Sequence, residues 1–327
     1  MRIGKARAHT NIALIKYWGK ANNQLKLPQN SSLSMTLDAF YTDTNFQLLE
    51  QSTTTESSFS LNNVVQEPAS SRRVFDYIET LQDRYRLPHD KFKIQTTNHV
   101  PTSAGLASSS SAFAALAQAF VAAYQLDVDK QELSRLARLG SGSATRSIYG
   151  GFVEWQKGTD DQDSIAMPID EQPTIDLCLL AVEINFASKG ISSTAGMQQV
   201  VNTSPYYGVW RTEAERGVIQ MKQAIKANDF TAIGTLAERS ALAMHALNFT
   251  ANPPFTYLEP ETIHAIKLVE QLRIQGIECY FTIDAGPNVK ILCQLRNVKE
   301  ITERFKEELG NVNIIKASFG PGVINLD

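Results

Sequence analysis

The chain has 327 residues, 43% of them hydrophobic and 20% charged, with a net charge of −3. That length suits two compact domains, and the near balance of charge lacks the basic excess or stripe of a nucleic-acid binder. The opening MRIGKARAHTNIALIKYWGK has no apolar run before a small-residue cleavage site, and 112–124, the most apolar long segment, is too short for a bilayer. A soluble, cytoplasmic protein is expected, with no nucleic-acid or membrane partner.

Residues 2–14 and 32–37, and TDTNFQLL after them, alternate as strands do. QSTTTESS (51–58) reads as an exposed hairpin loop. Residues 71–86 predict a helix with Val74, Ile78, Leu81 and Tyr85 on one stripe, followed by a strand at 92–96. A serine-rich loop then opens a helix to about 124, and a second helix covers 129–139. GSGSATR (140–146) is another polar loop, and GGFVEW and DLCLLAVEI are strands. Past about 186 the texture changes to long helices: 193–201, 206–226, 230–246 and 259–275. Strands at 278–283 and 289–295 flank DAGPN, and a charged helix (299–309) and a last strand (313–319) close the chain. A β-rich α+β half thus meets a helix-rich half, giving expected domains 1–187 and 188–327.

The three cysteines, Cys178, Cys279 and Cys293, form no C-x-x-C pair and sit in short apolar runs, so they read as buried small hydrophobes in strands. The five histidines show no metal-ligand spacing.

Four stretches carry chemistry. In VPTSAGLASSSSAFAALAQAF four serines stand before an alanine-rich helix, where one N-cap would need only one. Free N–H groups at a helix start suit an anion, Gly105 lets backbone approach closely, and serine hydroxyls bind phosphate oxygens. Together they read as a phosphate cradle; alone, the serines also fit a multiply capped helix. No Walker A loop is present. NIALIKYWGK puts Lys16, Tyr17 and Lys20 at a strand end, and GSGSATRS puts Arg146 after flexible, hydroxyl-rich backbone. A substrate with its own diphosphate and carboxylate uses such groups, lysine as a point charge and arginine as a fork. Singly, Lys16 is also a snorkelling surface lysine and Arg146 a surface ion pair. In YFTIDAGPNVKIL, Asp284 ends an apolar strand, where a cation such as Lys16 would keep it ionised; a turn-capping Asp fits the same place.

PTSAGLASSSSAFAAL resembles the P-x-x-x-G-L-x-S-S phosphate motif of the GHMP kinase superfamily. Taken in order with NIALIKYWGK, GSGSATRSIYGGF, SSTAGM and DAGPN, the set resembles the diphosphomevalonate decarboxylases. The resemblance implies a two-domain α+β GHMP-kinase-like fold: an N-terminal mixed β/α domain with a left-handed βαβ crossover, a C-terminal ferredoxin-like layer, and an active site in the cleft between them. It implies ATP and Mg²⁺, a homodimer, and ATP-dependent decarboxylation of mevalonate 5-diphosphate. By motif match, Asp284, Lys16 and Arg146 are the catalytic set. Tyr17, Lys20, Ser141, Ser143 and Ser193 fall around the substrate, with Ser193 preferred over Ser192 by its spacing to Gly196 and Met197. Pro101, Ser103, Gly105, Leu106, Ala107, Ser108, Ser109 and Ser110 fall on the nucleotide loop. The resemblance names no metal ligand. Thr194 stands where some bacterial members carry a basic residue.

Overall fold

The computed structural model describes residues 2–50, 56–100, 108–184, 190–310 and 312–326. Most of the loop expected at 51–58 lies outside them. The chain begins with a long strand, β1 (Ile3–Ile15), then a small hairpin, β2 (Lys20–Asn22) and β3 (Leu27–Pro28), and a second long strand, β4 (Ser32–Leu48). After β5 (Ser58–Leu61) and β6 (Val64–Val65) come α1 (Pro68–Arg84), β7 (Phe92–Asn98), α2 (Ser108–Tyr124) and α3 (Lys130–Gly140). A 3₁₀ segment (Gly142–Ile148), β8 (Phe152–Trp155) and β9 (Ala166–Asp170) follow.

β2 and β3 pair with each other, and the other strands form one sheet. Among the described residues its order is β14-β1-β4-β7-β5-β6, with β8 beside β4 and β9 beside β8; β14 (Ile324–Asn325) is the returning C-terminus. β1 and β4 pair antiparallel along most of their length, with a register shift between His9 and Asn11. β5 and β7 pair parallel, with α1 in the connection between them.

The alanine-rich face of α2 lies on this sheet, burying Ala114, Ala115, Ala117, Ala119 and Ala123 with Phe120. Gly4 of β1 allows that approach, since a Cβ there would fall on the backbone of Ala119 and Ala123. Alanine on the helix and glycine on the strand thus set α2 against β1, and this fixes where its serine-bearing start lies. α3 starts on Asp129, whose carboxylate accepts the Glu132 N–H at 2.7 Å.

The second half contains β10 (Cys178–Glu183), α4 (Ser193–Thr203), α5 (Tyr207–Lys226), α6 (Phe230–Phe249), α7 (Pro260–Ile274), β11 (Cys279–Ile283), β12 (Val289–Cys293), α8 (Val298–Leu309) and β13 (Asn313–Ala317). Its antiparallel sheet runs β11-β12-β10-β13. Alternation along β10 divides two cores. Cys178, Leu180 and Val182 pack toward α7 and α8, while Leu179 and Ala181 join Ile12, Leu33, Met35 and Phe152 of the first sheet. The two halves share that second core, which holds the first sheet and α5–α6 around a cleft. All three cysteines are buried in strands.

The 178–183 strand stands on the N-terminal side of the division expected at 187, yet its ladders are with β12 and β13. The change of sheet falls between β9 and β10. α1 starts three residues before the expected 71, because Pro68 suits a first helical position. β9, β14 and the β2–β3 hairpin had no expectation. Each is five residues or shorter and is defined by its ladder partner rather than by its own pattern.

Candidate active site

One cavity of about 200 Å³ lies in the cleft, and Lys16, Tyr17, Lys20, Ser109, Ser141, Ser143, Arg146, Ser193 and Asp284 all line it. Lys16 stands just past β1. Its backbone N–H donates to Ser240 Oγ on α6 at 3.0 Å, and its carbonyl accepts from Asn30 Nδ2 at 2.8 Å. The side chain is buried, and Nζ donates to the Ala13 carbonyl at 2.8 Å and to Asp284 Oδ1 at 2.6 Å. Asp284 follows β11, the strand packed under α6.

Burial lowers the Lys16 ammonium below its ordinary value, opposed by Asp284. Burial also pushes the Asp284 carboxyl up, but Lys16, Lys290 and Arg146 together outweigh it and hold the acid below its ordinary value. The carboxylate is therefore ionised at neutral pH and accepts rather than donates.

Arg146 comes from the 3₁₀ segment. Nε donates to Asn11 Oδ1 at 3.2 Å and one terminal nitrogen to Ser32 Oγ at 2.6 Å. Asn11 is itself held, donating to the Ser143 carbonyl and to Ser147 Oγ. The guanidinium lies 5.9 Å from the Trp155 ring centre, and Tyr17 packs on the same ring at 4.8 Å. Burial lowers Arg146 to about 10, so it stays charged at neutral pH. Two sides of the fork are fixed by protein, which leaves the rest to grip a carboxylate. The Tyr17 hydroxyl is buried in the same cavity and has no protein partner among the described residues.

The far end of the cavity is cationic. Lys20 from β2, Lys26 from the β2–β3 turn and Arg73 from α1 line it together. Lys26 Nζ donates to the carbonyls of Leu139 and Gly140, and Arg73 donates to Gly140 O at 2.9 Å. Burial, with Arg73 and Lys20 beside it, lowers Lys26 to about 7. Among the described residues, five cationic side chains thus face one carboxylate around this cavity, a charge excess that a substrate with several negative charges would complete.

The hydroxyls of Ser109, Ser141 and Ser143 form a line with 3.3 Å steps. The four serines differ in place. Ser108 starts α2, Ser109 lines the cavity, and Ser110 and Ser111 are buried in the helix. Ser111 Oγ bonds Thr10 and Thr42 beneath the helix. Pro101, Ser103, Gly105, Leu106 and Ala107 lie outside the described residues. Ser192 caps α4, accepting the Ala195 N–H at 3.2 Å, while Ser193 and Thr194 line the cavity.

Sequence reasoning did not single out Lys26, Arg73, Asn11, Ser32 or Lys290. Arg73 looks like an ordinary surface position of an amphipathic helix, and Lys290 like one of the two faces of a strand. Asn11 lies inside the NIALIKYWGK stretch and was the most accessible of the five.

A mixed sheet and a ferredoxin-like layer enclosing a cationic cleft beside a serine-led helix make this a GHMP-kinase-like protein; a Staphylococcus aureus mevalonate diphosphate decarboxylase superposes with a TM-score of 0.95 at 42% identity, covering 100% of this chain and 98% of that one. A solved complex of MDDEF with MVAPP, AMPPCP and magnesium gives a TM-score of 0.93 at 43% identity, with 99% of each chain covered. Residues 8–166 match the diphosphomevalonate decarboxylase-like N-terminal domain, and residues 178–320 the mevalonate 5-diphosphate decarboxylase C-terminal domain. The Candida albicans diphosphomevalonate decarboxylase is 34% identical over 96% of this chain and 95% of its own, and the human one 35% identical over 87% and 75%. The chain belongs to the diphosphomevalonate decarboxylase family.

Proposed function

We propose that the protein catalyses the ATP-dependent decarboxylation of mevalonate 5-diphosphate to isopentenyl diphosphate, ADP, phosphate and CO₂, a step of the mevalonate route to isoprenoids. The observation that carries this is the arrangement within one cavity. A lysine-paired carboxylate, a guanidinium fork and a cluster of three further cations line the same cavity. Such a site suits a molecule with a reacting hydroxyl, a carboxylate and a diphosphate.

In this reading Lys20, Lys26 and Arg73 hold the diphosphate, and Arg146 grips the carboxylate with Tyr17, Ser141, Ser143 and Ser193 around it. Asp284 accepts the hydrogen of the C3 hydroxyl and orients its oxygen, and Lys16 keeps Asp284 ionised and neutralises charge at the transferred group. ATP supplies the phosphoryl group that turns the C3 hydroxyl into a leaving group. When phosphate departs, the electrons of the carboxylate-bearing C–C bond form the new double bond and CO₂ is released. Arg146 must hold the carboxylate without over-stabilising it, because that charge vanishes in the reaction.

The donor set fits Mg²⁺ arriving on nucleotide phosphates. Among the described residues no three His, Cys, Asp or Glu side chains cluster as a cage. Magnesium bound by phosphates and water would need only a few protein oxygens, and Ser109 Oγ and the Asp284 carboxylate are the groups in this cavity that would supply them. Residues 101–110 are the proposed nucleotide loop. A cytoplasmic location and a homodimer complete the proposal. Among the described residues no helix is long and apolar enough to cross a membrane.

A kinase of the same superfamily would stop at the phosphorylated product. Incubation with ATP and mevalonate, its 5-phosphate or its 5-diphosphate, followed for ADP and CO₂, separates the two. Equal ADP and CO₂ from the diphosphate alone supports the decarboxylase; ADP without CO₂ supports the kinase.

A further inference from the structure

Arg138 of α3 is fully buried and does not line the cavity. Its fork nevertheless holds two pieces of backbone that do matter there. Nε donates to the Leu25 carbonyl at 3.0 Å, and one terminal nitrogen donates to the Ser164 carbonyl. The other binds the Asp161 carboxylate, which also accepts from Arg84 at 2.9 Å and Arg135 at 2.5 Å.

Each anchored carbonyl leads to a different part of the site. Leu25 precedes Lys26, so the first bond fixes the turn that aims Lys26 at the cationic end. Ser164 Oγ accepts from Trp155 Nε1 at 3.1 Å, so the second fixes the ring against which Tyr17 and Arg146 pack. A lysine could not reproduce this, because a point ammonium lacks the planar fork that spans several acceptors at once. Nor is stability a sufficient reason for a buried guanidinium. Such groups cost so much desolvation that apolar residues of similar size often do as well.

We infer that Arg138, held by Asp161, is a positioning residue that fixes the diphosphate cations and the carboxylate fork relative to one another, so that one substrate can engage both. This rests on the substrate reading above.

A double-mutant cycle with Lys26 tests it, read as affinity for mevalonate 5-diphosphate by calorimetry without ATP. R138M leaves Asp161 paired with Arg84 and Arg135, and R138K carries the same cycle if R138M does not fold. Either change is expected to weaken the diphosphate by about tenfold and mevalonate 5-phosphate by less, with the affinity for ATP, titrated separately, within about twofold of wild type. In a K26A background the Arg138 change is expected to add about threefold or less, because one of the two groups it places relative to each other is already gone. Full additivity with K26A, or equal losses for diphosphate, monophosphate and ATP, would show a general loosening and overturn the inference. Binding is read without turnover. A wild-type protein that binds the diphosphate but releases no CO₂ with ATP therefore overturns the decarboxylase reading and leaves the Arg138 result standing.

Discussion

Lys16 Nζ lies 2.6 Å from Asp284 Oδ1 although the two residues are 268 positions apart. β1 ends just before one and β11 just before the other, and α6 packs on both strands, so the pair is made by the meeting of the two halves. Asp284→Asn keeps the shape but removes the charge proposed to accept the hydroxyl hydrogen. It is expected to lower kcat by roughly 10²–10⁴ with little change in KM, because the group acts mainly in the transition state. Steady-state kinetics with mevalonate 5-diphosphate checks this, and near-normal turnover would remove Asp284 from its role.

Arg146 is held by Asn11 and Ser32 on two sides, which turns a flexible side chain into a fixed fork. Arg146→Ala is expected to reduce kcat/KM by roughly 100-fold, with both kcat and KM affected. Arg146→Lys is expected to recover little, since one ammonium cannot keep the Asn11 and Ser32 bonds and grip a carboxylate as well. If the lysine variant were near wild type, the fork geometry would be irrelevant.

Lys26 titrates within the working range. Its ammonium is lowered to about 7, so the unliganded site loses a positive charge as pH rises through that value. The charged form is the one that binds an anion, so kcat/KM for the diphosphate substrate is expected to fall above about pH 7. Lys26→Arg, which stays charged throughout, is expected to flatten that fall. A pH profile of kcat/KM for both proteins decides it; identical profiles would place the titration elsewhere.

Much of this site was legible in the sequence, but unevenly. Lys16, Arg146 and Asp284 each sit in a stretch whose composition is odd for its place: a lysine closing an apolar strand, an arginine after a small-residue loop, an acid before Ala-Gly-Pro. The two kinds of hydrophobic period located the long helices to within a few residues. Lys26 and Arg73 gave no such signal. Their place in the cavity comes from a hairpin and a helix turning toward the same carbonyl of Gly140, a convergence with no local trace in the sequence. The sheet change between β9 and β10 was equally silent, because a buried strand reads the same whichever sheet receives it.

His245 of α6 is 2% exposed, and its ring faces the backbone of Ile283 and Asp284, which favours the charged form but makes no close hydrogen bond to either nitrogen. It lies edge-on to Tyr257, with Lys16 and Asp284 as the charges that act on it. Burial, reinforced by Lys16, lowers it to about 4 from an ordinary value of 6.5, so the folded protein keeps it neutral. Unfolding exposes the ring, which then takes up a proton anywhere below about 6.5. The unfolded state binds more protons across that window, so stability is fully present above about pH 6.5 and falls as pH drops toward 4. The span corresponds to about 3 kcal/mol by linkage. His9, also lowered by burial, adds to the acid slope but is common to any variant at position 245. His245→Gln removes the titration while keeping a polar side chain. Its denaturant midpoint is expected to change less between pH 7 and pH 5 than that of the wild type. Parallel pH dependence in the two proteins would mean that the ring is solvated or already charged in the fold.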